Sequence, residues 1–198
     1  MIEVLNSINI LGFIDARQFF IILHLLGFAI GMGSAISSDW MFMASIKDKV
    51  ISHKEASFLQ IASRFVWIGL GLLFISGLFL VFLNPDRFLD SHKFWAKQTI
   101  IGIILLNGLV FHFSHIPRIL KHRGQHLLSS DEFKRKNVFL YVSGALSIVS
   151  WVSAFLLGSL GKVSYSYFEI MGVYVSLLVI AIGISFYVRS LMFNKDYN

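Results

Sequence analysis

The chain has no cysteine, only two prolines and little charge, and each shortage excludes something. Without thiols it forms no disulfide, no thiolate-held metal cluster and no covalent c-type haem attachment. Any metal or haem must rely on His, Lys, Met or oxygen ligands, and Met41 and Met43 alone make a thin soft-ligand set. The prolines, Pro85 and Pro117, fall in a turn and at an expected helix end, so no long apolar segment is interrupted. HExxH, GxSxG and a phosphate-cradling glycine loop are also missing, which removes the commonest zinc-hydrolase, serine-hydrolase and nucleotide-binding readings.

What remains is apolar. Charged residues make up 14%, against about 25% in soluble domains, while hydrophobic residues reach 56% and mean hydropathy is +0.73. Five segments, 18–42, 65–83, 96–116, 138–158 and 169–191, come close to or exceed the roughly 20 residues a membrane-crossing helix needs. They predict an all-α integral membrane protein of one domain over 1–198, with a four-helix bundle core at 18–160 and an additional fifth span. The stretches 47–64 and 117–137 carry helical patterning and are expected to extend helices beyond the membrane, whereas LNPDRF at 83–88 reads as a turn. The opening MIEVLNSINILGFIDARQ lacks a basic region, so the first span is read as retained, with 2–13 as a short interfacial helix.

Charge sets the expected orientation. With the N-terminus outside and the C-terminus inside, twelve of the 17 Lys and Arg residues collect on the inner face and five on the outer. A bacterial-type inner membrane is the expected location. Trp40 and Trp67 fall near the inner boundary and Trp95 near the outer, while Trp151 lies deep enough to pack. The net charge of +6, densest from Arg118 to Lys136, reads as a topology signal and a contact with anionic membrane lipid; no nucleic-acid partner is implied.

Buried polarity carries the functional candidates. In FFIILHLLGFAIGMGSAISSDW, His24, Gly31, Ala35 and Ser38 fall on one side of the first helix at about 100° per residue. A similar stripe in the fourth span comprises Ser143, Ser147, Ala154 and Gly158. Such stripes let helices approach closely, or leave a groove for a planar cofactor; both readings stand. On the third span Lys97, Gly108, His112 and His115 lie within about 60° of one another, with Asn107 on the flank. At about 1.5 Å per residue, His24 lies roughly 10 Å and Lys97 about 5 Å below the outer boundary, with His112 roughly 25 Å down. His24 and Lys97 can therefore share a site, and His24 and His112 are too far apart to ligate one iron. At the inner end Asp39, Arg64, His112, His115 and Arg118 form either a snorkelling boundary network or a proton path or second cofactor site. His53, His92, His122 and His126 are expected in exposed loops.

These elements resemble a known group. FFIILHLLGFAIGMG is similar to the first helix of the HemJ-type protoporphyrinogen oxidases, which opens with a Leu-His pair followed by small residues. HKFWAKQTIIGIILLNG resembles that family's Trp-His-Ala-Lys entry, with Ala96 and Lys97 matching its Ala-Lys, and RFVWIGLGLLFISGLFLVF its Gly-rich second helix. CopD-like copper-resistance domains share the general plan. The resemblance covers about 18–160 and implies a four-helix core binding b-type haem, with His24 as iron ligand and Lys97 as its partner. Ser37-Ser38-Asp39-Trp40 stands where the family has a Pro-Arg segment and a further His, and the fifth span has no counterpart.

The leading expectation is a haem b protein with a redox role, passing electrons to a quinone or a membrane redox partner protein, or oxidising a porphyrinogen. Its cofactor-binding candidates are His24, Lys97, Gly31 and Ala35, with His112, His115, Asp39 and Asn107 as a second rank. Two alternatives are a structural or accessory subunit without cofactor, and a small transporter using Asp39 and His112. A homo-oligomer is compatible with each.

Overall fold

In lipid every backbone N–H and C=O must be satisfied within its own segment, so long apolar stretches become helices whatever their side-chain pattern. The computed structural model describes residues 9–10, 14–47, 50–124, 131–161 and 163–194. Its helices are α1 (Ala16–Lys47), α2 (His53–Leu83), the short α3 (Pro85–Leu89), α4 (His92–Val110), α5 (Ile116–Lys121), α6 (Asp131–Ser159) and α7 (Tyr167–Asn194). Five segments are long and apolar enough to cross a membrane: Ala16–Ser45, His53–Leu83, His92–Lys121, Val138–Ser159 and Tyr167–Leu191. Each covers an apolar stretch expected from the sequence, and the chain is a multi-pass membrane protein.

Short polar signals fix the helix ends. Ser52 and Glu55 form a capping box at α2, the Glu55 N–H donating to Ser52 Oγ (3.2 Å) and the Ser52 N–H to Glu55 Oε2 (2.7 Å). Ser166 and Glu169 repeat the arrangement before α7. Pro85 occupies the first turn of α3, where its missing N–H costs nothing.

One expectation is corrected. Within the expected interfacial helix, Asn9–Ile10 is instead extended and pairs antiparallel with Ile14–Asp15; the rest of 2–13 lies outside the described residues, as do His126, Lys49, Lys162 and Lys195. The third span runs on to Lys121, as the helical patterning after Pro117 suggested, with Pro117 in the first turn of α5. A π turn, Phe111–His115, joins α4 to α5 just before it. Proline has no N–H to donate and its ring crowds the carbonyl four residues back, so a locally widened helix accommodates it. The inserted residue also breaks the 100° periodicity that placed Lys97, His112 and His115 on one face.

The four-helix core closes around two apolar clusters, one near Trp151, Ile100 and Leu73, the other toward the α1–α2 loop around Ile51, Leu59 and Ile119. α7 packs from outside on α6 and α4. It is held by the buried Tyr174, whose hydroxyl lies 2.8 Å from Ser150 Oγ, and by Tyr167 at 3.1 Å from Thr99. Much of its remaining surface, such as Phe168 and Val179, is exposed and faces where lipid would be.

Glycine decides how α1 meets α2. A β-carbon added at Gly69 would lie 2.5 Å from the Gly31 nitrogen and 2.7 Å from the Gly27 carbonyl oxygen. One added at Gly27 would meet Leu72 Cβ at 2.8 Å. The backbones touch, as small residues four apart permit in membranes. Gly69→Val should therefore destabilise the purified protein by about 3 kcal/mol, at the upper end of overpacking costs. Gly71→Val, at a position with nothing within 4 Å, should change the thermal unfolding midpoint little. Equal effects of the two would contradict the close crossing.

Candidate functional site

The crossing sets the place of His24. Three residues before Gly27, its ring lies against α2, with Nδ1 2.9 Å from Ser76 Oγ. Ser76 has a single hydroxyl proton, and it is donated to the Leu72 carbonyl at 2.5 Å. The serine oxygen is then left to accept, so Nδ1 carries a proton, and in the neutral ring Nε2 keeps the lone pair. Gly77 supplies the space beside the ring, since a β-carbon there would sit 3.6 Å from His24 Cε1.

That ring lines a cavity of about 720 Å³ bounded by α1, α2, α3, α4, the end of α6 and the 160–165 segment. The volume falls in the range of small-molecule and cofactor pockets, about 300–1,000 Å³. Leu80, Val81, Phe88, Phe94 and Leu157 give it an apolar wall, and Arg87, Lys97 and His92 supply basic groups. Lys93 is committed to the rim, donating to the Leu160 carbonyl (2.5 Å) and the Gly161 carbonyl (2.9 Å). Lys97 reaches across to α6, where a β-carbon at Gly158 would lie 3.5 Å from its Nζ. The cavity thus combines an imidazole nitrogen, an apolar body, the Asp90 carboxylate and cationic groups suited to carboxylates.

His24 and Lys97 come together as the sequence suggested. Gly31 and Ala35 do not join them. Gly31 is filled by Trp151, whose Cη2 would lie 2.7 Å from an added β-carbon, and by Gly69. Ala35 lines a smaller cavity toward the opposite end of the bundle with Asp39 and Asn107. On α1 the small-residue stripe serves helix packing at Gly31 and lines the smaller cavity at Ala35 and Ser38, and the α6 stripe divides, Ser143 and Ser147 to the smaller cavity and Gly158 to the larger.

The other candidates lie at the opposite end. His112 Nδ1 is 2.9 Å from Ser63 Oγ, with its ring edge-on to Trp67. Ser63 and Ser76 are thirteen residues apart on α2, about 20 Å along the axis, so the two histidines serve separate places. Asn107 clamps α4 to α6, its Nδ2 donating to the Ser143 carbonyl (3.1 Å) and its Oδ1 accepting from Ser143 Oγ (2.8 Å). His115 is buried, and both its ring nitrogens lack a partner. His122, expected in an exposed loop, is half-buried with Nδ1 3.0 Å from the Arg118 carbonyl, and His53 opens α2.

Ser76, Arg87 and His92 were not singled out from sequence. Arg87 sits in what reads as a turn and His92 in what reads as an exposed loop; the pattern of a helical serine bonding its own backbone is too common to flag Ser76. No family model, curated protein or solved structure matches the chain. Among the described residues no group of three or more His, Cys, Asp or Glu side chains could hold a metal ion.

The absence of cysteine makes the cavity open to direct test. Lys97→Cys should react readily with a small charged thiol reagent. Ala96→Cys, whose neighbouring position is fully buried, should not. Comparable labelling rates would contradict a cavity at this level.

Proposed function

We propose that the protein is a haem b-binding membrane protein with a redox role, and that the outer cavity is where the haem sits. The observation that supports this reading is the His24 ring, fixed by Ser76 as the Nδ1-protonated tautomer with Nε2 available. Haem-ligating and metal-ligating histidines are commonly held this way, their second ring nitrogen donating to a fixed acceptor. Haem b fits the donor set: His24 Nε2 for the iron, Lys97 and Arg87 for the propionates, and the apolar wall for the macrocycle. When bound, it supplies one-electron chemistry.

The chain's own residues orient the imidazole, neutralise the ligand's carboxylates and keep water from the apolar wall. With the N-terminus outside, the cavity opens toward the outer leaflet of a bacterial-type inner membrane. Electrons exchanged there would pass to a quinone or a membrane redox partner protein, and porphyrinogen oxidation of the HemJ type is one form of that chemistry.

Purified protein supplied with haem should show a Soret band that sharpens and shifts on reduction. His24→Ala should abolish it, while Ser76→Ala should weaken haem affinity about 10–100-fold, as loss of an orienting partner does. Absence of the band in wild type, or its full retention in His24→Ala, would refute the proposal.

A further inference from the structure

The second cavity lies about 22 Å along α1 from His24, counting from His24 to Asp39, and the redox reading makes no use of it. It is small, about 40 Å³, and polar side chains from four helices meet there: Ser38 and Asp39 of α1, Ser63 of α2, Asn107 of α4, Ser143 and Ser147 of α6. Ser38 is 3% exposed, and its Oγ is buried with no hydrogen-bond partner. Asp39 Oδ2 is likewise buried and unpartnered, while the carboxylate bonds Ser147. No Lys, Arg or His lines the cavity; His112 stands behind the wall, on Ser63.

A carboxylate at this depth without a countercharge is costly, and native proteins do not leave such a group uncompensated. The space beside it has a use. A proton needs one acceptor and no cavity, whereas here hydroxyl, amide and carboxylate oxygens converge on an opening large enough for a small ion. Oxygen donors select a hard cation, and a single carboxylate matches a single positive charge; divalent sites recruit more acidic groups.

We propose that Asp39, with Ser38, Ser147 and Asn107, forms a binding site for one small monovalent cation such as Na⁺ inside the bundle. Ser38 and Asp39 contribute the oxygens that lack protein partners. Ser147 steadies the carboxylate, and the Asn107–Ser143 clamp fixes the opposite wall.

The test is thermal unfolding of the full-length protein in detergent, titrated with NaCl against choline chloride at constant ionic strength. The expected result is a saturable, sodium-specific rise in the midpoint, as for any ligand that binds the folded state. Asp39→Asn should abolish the rise, and Ser38→Ala should shift the half-saturating concentration about tenfold upward, the loss of one neutral ligand. If Asp39→Asn fails to fold, Ser38→Ala decides alone. A wild-type midpoint indifferent to sodium, the result for a carboxyl that holds only a proton, overturns the site. So does an unchanged titration in Ser38→Ala, or sodium dependence that persists in Asp39→Asn.

Discussion

The backbone contact between α1 and α2 at Gly27, Gly31 and Gly69 is the constraint on which the rest depends. Lipid offers no hydrophobic drive for helices to associate, so close packing and a few buried hydrogen bonds must do it. Bringing the two backbones together places an imidazole from α1 within reach of a serine on α2. The serine's own backbone bond then dictates which ring nitrogen carries the proton. A side chain at Gly69 would part the helices and lose that geometry with the packing.

From this crossing the bundle divides into two polar regions separated by an apolar layer around Trp151, Leu73 and Ile104. One end holds a large cavity with His24, Arg87 and Lys97 in its wall, and the other a small one with Asp39 and Asn107. Different chemistry follows from size and donors. A nitrogen donor beside an apolar wall and cations suits a large amphiphilic anion with a metal at its centre. Converging oxygens around one carboxylate suit a small bare ion. His24 and His112 are each tied to a serine of α2, Ser76 and Ser63 respectively.

Much of the architecture was legible from the chain alone because bilayer thickness imposes length and apolarity on each span. The pairing of His24 with Lys97 followed from counting depth along two helices. The roles of Gly31 and Ala35 did not, because a small residue makes room without naming what fills it, and the indole of Trp151 comes from a helix 120 positions away. The π turn before Pro117 was hidden too, because it leaves no periodic trace in the sequence.

The most direct measurement is the tautomer of His24 in the wild-type protein, read from nitrogen NMR of histidine-labelled material in detergent without added haem. A ring protonated at Nδ1 with a bare Nε2 is the predicted result, and it should revert toward the solution mixture in Ser76→Ala. A ring protonated at Nε2 would show that the nitrogen facing away from Ser76 has no lone pair to give, and would contradict ligation of iron at that position.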